Sequence, residues 1–188
     1  SAYLLTGEER YAEGVCRHLK AWFVDPGTRM NPNLQYAQAI FGRVSGRGTG
    51  IIDTIHLMEA VRAAMAVRHS PCLKTILPDV RTWFSEYLTW ISTHPYGIEE
   101  RDAKNNHATC WAMQAAVFAQ FVGDEKTLAF CRRRFKEILL PGQMAADGSF
   151  PQELERTKPY GYSLFNLDAM ATLCQVLSTP EDDLWTFA

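Results

Sequence analysis

Lys104-Asn105-Asn106-His107 runs directly into Ala108-Thr109-Cys110-Trp111-Ala112-Met113-Gln114-Ala115-Ala116-Val117-Phe118-Ala119-Gln120-Phe121. Trp111, Ala115, Phe118 and Phe121 recur at three- and four-residue spacing, which predicts a helix over 108–121 with an apolar face. Asn105 or Asn106 is its natural N-cap, because a side-chain oxygen there accepts from a free N–H of the first turn. A helix start also carries unpaired donors and partial positive charge, which favour an anion. One Asn alone would be a cap, but Asn-Asn-His at the mouth of an apolar helix is a candidate site on a rigid scaffold.

Working outward, the same periodicity continues on both sides. Downstream, Gly123-Asp124 reads as a turn and cap, Leu128, Cys131, Phe135 and Ile138 mark a helix stopped by Pro141-Gly142, and a loop from Gln143 to about Gly161 leads to a last helix carrying Leu164, Leu167, Ala171, Cys174 and Leu177. Upstream, Thr6-Gly7-Glu8-Glu9 has the capping-box pattern before Ala12, Val15, Leu19 and Trp22, and Asp25-Pro26-Gly27 ends that helix. Ile51 to Met65 and Ile76 to Trp90 predict two more helices, with His94-Pro95-Tyr96-Gly97-Ile98 as a loop. No segment shows a convincing period of two. The expectation is all-α, about six helices of roughly 15–20 residues paired as hairpins.

An internal echo supports repeated hairpins. Leu5-Thr6-Gly7-Glu8-Glu9-Arg10, continuing to Val15-Cys16-Arg17-His18-Leu19-Lys20, aligns without a gap with Phe121-Val122-Gly123-Asp124-Glu125-Lys126, continuing to Cys131-Arg132-Arg133-Arg134-Phe135-Lys136. Such self-similarity is the mark of a solenoid or toroid.

Composition bounds the function. The chain has 188 residues and a formal net charge of −2, so any basic groove is local and the basic domain expected of a nucleic-acid binder is missing. No apolar run approaches the roughly 20 residues of a membrane span. The chain starts with Ser1, so the lack of a leader says nothing about export. Five cysteines, with no CxxC pair among them, argue against a disulfide framework. A zinc site from His107 and Cys110 lacks further ligands at suitable spacing, and none is expected.

A second polar cluster follows the first: Glu153-Leu154-Glu155-Arg156-Thr157-Lys158-Pro159-Tyr160-Gly161-Tyr162. The two clusters are expected to face one another across a groove. Together they suit β-elimination on a uronic acid. The C5 proton lies α to a carboxylate and becomes acidic only when that charge is neutralised or hydrogen-bonded. A base must take the proton and an acid must protonate the oxygen leaving C4. Asn106, His107, Arg156 and Tyr162 supply those parts. The irregular stretch from Thr28 to Gly50 is long enough to be functional, and Asn31, Asn33, Gln35 and Arg47 are candidate sugar contacts, with Arg43 weaker. His56, within an apolar helix pattern, reads as at least as much structural as functional. Trp111 lies one turn beyond His107 and is a candidate platform for a sugar ring, although an indole at this spacing more often packs in a core.

Asn105-Asn106-His107, then Gly148-Ser149-Phe150-Pro151-Gln152-Glu153-Leu154 with Arg156, and Tyr162-Ser163-Leu164-Phe165-Asn166-Leu167 resemble the alginate-lyase group of all-helical polysaccharide lyases. Tyr3-Leu4-Leu5-Thr6-Gly7, Met30-Asn31-Pro32-Asn33 and Gly50-Ile51-Ile52-Asp53 resemble it too, so the likeness runs from Tyr3 to about Leu177. It implies an incomplete (α/α) toroid over residues 1–188 as one domain without the family's N-terminal helices, an acidic polysaccharide substrate, no cofactor, and a periplasmic or secreted protein. It also implies roles: Asn106 and Arg156 neutralise the substrate carboxylate, with Asn105 beside them. Tyr162 protonates the leaving oxygen and, for syn elimination, also takes the C5 proton. His107 is the base for the anti geometry or otherwise a carboxylate partner. The chain departs from the group after the histidine, where Ala108-Thr109-Cys110-Trp111 stands in place of an early aromatic. The step from Arg156 to Tyr162 is also shorter by one, so Tyr160 competes for the acid role.

Two other classes stay open on the residues alone. A helical-toroid glycoside hydrolase needs two carboxyl groups roughly 5 to 9.5 Å apart, for which Asp147, Glu153, Glu155 and Asp168 are available. A non-catalytic sugar-binding scaffold needs no particular His or Tyr.

Overall fold

The structure, a computed structural model, describes residues 2–187. Ten α-helical segments follow in order: α1 (Ala2–Thr6), α2 (Glu9–Leu19), α3 (Leu57–Ala66), α4 (Pro71–Thr93), α5 (Pro95–Arg101), α6 (Asn106–Val122), α7 (Glu125–Arg134), α8 (Leu140–Gln143), α9 (Pro151–Leu154) and α10 (Pro159–Leu177). A 3-10 segment covers Gly48–Thr54. No strand occurs among the described residues, only two isolated bridges, Ile40 with Val44 and Thr179 with Asp182.

The opening stretch of sequence is the hub. Every residue from Ala108 to Ala119 is buried, and α6 packs against α3, α4, α5, α7 and α10. A helix apolar on all sides belongs in a core, and its alanines let neighbours approach closely. Phe118 meets Phe84 of α4 with ring centroids 5.1 Å apart. Each large side chain fully removed from water in this way contributes about 1.5–3 kcal/mol.

The internal echo is real in three dimensions. Gly7 and Gly123 both take positive φ, at 70° and 84°, a backbone region open to glycine at little cost. Each precedes a helix, α2 and α7, and each of those helices relaxes into a π-helical segment, Lys20–Val24 and Phe135–Leu139.

Several sequence expectations need correction. Thr6 closes α1 and its hydroxyl accepts from the Glu8 N–H at 3.2 Å, so the capping-box pattern does not open α2. The His94–Ile98 stretch is the start of α5: Pro95 occupies the first turn, where its missing N–H costs nothing, and His94 Nδ1 accepts from the Tyr96 N–H at 3.2 Å. Helical structure passes through Pro141 as far as Gln143. Cys16 and Cys72 form a disulfide that joins α2 to the start of α4 across 56 residues of sequence. Linear spacing hid it, because the two helix ends meet only in the fold. Cys110, Cys131 and Cys174 are free and buried.

Candidate functional site

The site begins at the junction of α5 and α6. Asn105 is the N-cap: its Oδ1 accepts from the His107 N–H at 3.4 Å. Its carbonyl oxygen accepts from Gln143 Nε2 at 3.1 Å, which fixes the turn from the α8 side. On the other flank Asp102 accepts from Arg101, and from Arg134 at 2.9 Å. Arg101 beside it holds the Asp102 carboxyl below the usual carboxylate range. The connection between the two helices is therefore tied at both ends.

His107 sits in the first turn of α6. Its Nδ1 lies 2.7 Å from Oε1 of Glu100, in the last turns of α5. The Glu100 side chain is 1% exposed and the His107 side chain 18%. Burial pushes the Glu100 carboxyl up, and the hydrogen bond from His107 opposes that shift only in part.

Asn106 is 1% exposed. Its backbone N–H donates to Glu153 Oε1 at 2.6 Å and its side-chain Nδ2 to Oε2 at 2.7 Å. The start of α6 does hold an anion, as helix polarity favours, and that anion is the protein's own Glu153. The expectation that the two polar clusters face each other across a groove is corrected here. They touch, because α9 docks Glu153 onto α6. One amide hydrogen of Asn106 remains uncommitted, and its Oδ1 has no partner among the described residues.

From Glu153 the chain turns sharply, with the Arg156 N–H donating to the Glu153 carbonyl at 3.2 Å. The Arg156 guanidinium then lies 4.1 Å from the ring centre of Tyr162, in the first turn of α10, a cation–π stack that orients both groups. Both are half-buried. Tyr160 is 77% exposed and borders a hollow lined by Leu154, Leu164 and Leu167, so the two tyrosines serve different surroundings. Ser163 lies inside α10 with its hydroxyl buried, and does not cap it.

The irregular stretch before α3 is an ordered loop. Arg47 donates through Nε to the Gln38 carbonyl at 3.0 Å and through Nη2 to Gln38 Oε1 at 2.9 Å, and Gln38 Nε2 reaches Asp53 at 3.0 Å. Arg47 is thus a brace for the loop with part of its guanidinium left over. Asn33 Oδ1 accepts from the Gln35 N–H at 3.3 Å, Gln35 is half-buried and Asn31 is exposed. A Cβ on Gly48 would sit 2.8 Å from both the Tyr96 carbonyl and the Glu99 carboxylate, so the loop's end presses on α5 one residue from Glu100. Sequence reading passed over Phe41, which is wholly exposed at the loop tip. It also placed His56 inside a helix, whereas it is exposed just ahead of α3.

Trp111 is corrected as a sugar contact. It is 1% exposed, and its indole N–H donates to the Ile91 carbonyl at 2.8 Å, so no ring face is offered to a ligand. Glu100 and Glu153 are the residues whose part in the site sequence reading missed. Glu153 stood within the quoted cluster only as a carboxylate for the hydrolase alternative. Glu100, seven residues before His107, carried no signal that a linear scan detects. Burial drives the Cys110 thiol up to about 12, which keeps it protonated and a poor metal ligand.

The described helices form the incomplete (α/α) toroid of hairpins that the resemblance implies. The chain is similar to the crystal structure of an alginate lyase from Bacteroides ovatus, at 34% identity and a TM-score of 0.93; the match covers 98% of this chain and 50% of that one. The chain thus spans about half the length of that protein. A family model described as alginate lyase matches residues 1–188. No curated protein matches the chain.

Proposed function

Because the chain belongs to the alginate lyase family, we propose that it carries the catalytic wall of a polysaccharide lyase that cleaves a 1,4-linked uronate polymer by β-elimination. The observation that supports the reading is a chain of contacts: Glu100 holds His107, Asn106 holds Glu153, and Glu153 opens the turn that leads to Arg156 and its stack on Tyr162. Neither a metal nor a covalent nucleophile enters this chemistry.

In the proposed reaction Arg156 neutralises the carboxylate of the unit that loses its proton, while Asn106, buried and bound to Glu153, acts from behind by holding the turn that carries Arg156. That lowers the barrier to removing the C5 proton, because negative charge developing on the carboxylate oxygens meets fixed donors. His107 takes the proton for anti elimination. Tyr162 donates its phenolic proton to the oxygen leaving C4, or serves both steps for syn elimination. The C4–O bond breaks, its electrons leave with that oxygen, and a C4–C5 double bond forms. Asn31, Asn33, Gln35 and Arg47 extend the binding surface along the loop that abuts α5. Mannuronate and glucuronate share configuration at C4 and C5, so the same side chains serve alginate, polymannuronate or glucuronan.

We also propose a periplasmic or secreted site of action. The Cys16–Cys72 disulfide supports it, since such bonds persist in oxidising compartments, and no described helix is long and apolar enough to cross a membrane.

The test is ultraviolet absorbance on polymannuronate, polyguluronate and glucuronan incubated with the folded full-length protein. Growth of absorbance from the new double bond is expected on at least one of them. Chain cleavage without absorbance would point to hydrolysis, and binding without cleavage to a scaffold. Either would overturn the lyase reading.

A further inference from the structure

We infer that Glu100 is a positioning residue: by accepting the Nδ1–H of His107 it fixes the imidazole in one tautomer and presents a bare Nε2 as the basic nitrogen of the site. The inference deepens the lyase reading, which left His107 as either a base or a carboxylate partner. It rests on that reading only for its activity arm.

The geometry is closed from several sides. An ionised carboxylate accepts hydrogen bonds and donates none. With Oε1 at 2.7 Å from Nδ1, the ring's single proton in its neutral form belongs on Nδ1, and Nε2 keeps a lone pair. Nε2 has no hydrogen-bond partner among the described residues and is not sealed in the interior, so it is open to a ligand. His107 is also the one hydrogen-bond partner of the Glu100 side chain among the described residues. The tied connection between α5 and α6, with Gln143 on Asn105 and Arg134 on Asp102, stops the pair drifting apart.

The charges around Glu100 favour no other use. Glu99 lies beside it on α5 and Asp53 faces it from the 3-10 segment, and both are acidic. Tyr87 of α4 and Cys110 of α6 also feel its charge, and burial holds both of these in their protonated forms. His107 is therefore the partner that makes an ionised Glu100 tolerable in the core. A buried carboxylate with one partner is a poor way to stabilise a fold, because desolvation offsets the attraction. Ordering a catalytic imidazole gives it a purpose. A second proton on the pair would convert Nε2 from acceptor to donor and remove the base, so the arrangement works as a base only in its singly protonated form.

Nitrogen-resolved NMR of the imidazole side chains, at a pH where the ring is neutral, decides the matter in the unmodified protein, with His107→Gln used to assign the signal. A protonated Nδ1 and a bare Nε2 are expected at His107. A protonated Nε2 overturns the inference whether or not the protein cleaves any polymer. Glu100→Gln keeps the shape of the side chain while ending the demand for a proton on Nδ1, so the Nε2–H form should appear. On a polymer that the wild type cleaves, kcat should fall by about 10²–10⁴-fold, the range for loss of a general base or its orienting carboxylate, with KM within about twofold. An unchanged tautomer and unchanged kcat in the folded variant would also overturn the inference. A wild type with the stated tautomer and no lyase activity would sink the lyase reading and leave the Glu100–His107 pairing standing.

Discussion

The two helix junctions that meet at the candidate site are built in opposite ways. At the α5–α6 junction the working groups belong to the interior: Glu100 and Asn106 are each 1% exposed, and His107 shows only its outer edge. At the α9–α10 junction Arg156 and Tyr162 are half-buried, held mainly by one another, and Tyr160 beside them is almost free. Glu153 is the bridge, lying on α9 with its carboxylate in the core against Asn106. The contrast follows from the proposed jobs. A base gains from a fixed orientation and a dry backing, whereas groups that meet the carboxylate and the leaving oxygen of a polymer must reach into the space the polymer fills. Stability should therefore be sensitive at the first junction and turnover at both.

The sharpest way to break this division is Tyr162→Phe. If the phenol acts in the transition state, kcat should fall by about 10²–10⁴-fold with little change in KM, while thermal unfolding stays at the wild-type temperature. Near-full activity would move the acid role to Tyr160, and a large loss of stability would show that the second junction is as structural as the first. Next in size is Glu153→Ala. It strands two donors of Asn106 away from water at a cost of about 1–3 kcal/mol for each unsatisfied group, so unfolding free energy should drop by about 2–6 kcal/mol in a denaturant titration. A drop well below 1 kcal/mol would mean that Glu153 does not pin α9 to α6, and the continuity on which the proposed function stands would be lost.

The same contrast explains what the sequence revealed. The spacing of Trp111, Ala115, Phe118 and Phe121 located α6, and the Gly-Asp turn after it gave the cap that Asp124 provides through its bond to the Thr127 N–H at 3.1 Å. These are local matters of period and capping, written in neighbouring residues. Asn105-Asn106-His107 and Arg156 with Tyr162 stood out because polar residues clustered beside apolar helices. What stayed hidden depended on distance in sequence. Glu153 sits 47 residues from the Asn106 it binds, and the Cys16–Cys72 bond spans 56. Glu100 sat in a charged stretch, Glu99-Glu100-Arg101-Asp102, that reads as a solvated face. Trp111 was ambiguous for a related reason: one turn from His107 on the helix surface does not say whether that surface faces the groove or the core.

A smaller effect tests the interior junction through pH. Burial raises the folded-state pKa of Glu100 above the ordinary glutamate value of 4.5. The native state therefore keeps the Glu100 proton to higher pH than the unfolded chain does. That contribution to stability is fully present below the ordinary carboxyl range and is lost as pH rises through the raised folded value. Glu100→Gln does not titrate there. Its stability relative to the wild type should thus improve as pH climbs from the acid side toward neutrality, and the gain should vanish again on return to acid. A difference that stays flat with pH would mean that Glu100 ionises as freely in the fold as in the unfolded chain, and the contrast in burial between the two junctions would lose its electrostatic consequence.

The smallest expected change is in the stability of Arg156→Ala. The guanidinium is half-buried and stacks on Tyr162, a contact worth about 0.5–1 kcal/mol at a site open to water. Unfolding free energy should therefore fall by no more than about 1 kcal/mol, well short of the loss expected for Glu153→Ala three residues earlier on the same turn. If both substitutions cost the same, the α9–α10 turn would be one rigid body with the core, and the mobility that a carboxylate-gripping arginine needs at the polymer surface would be absent.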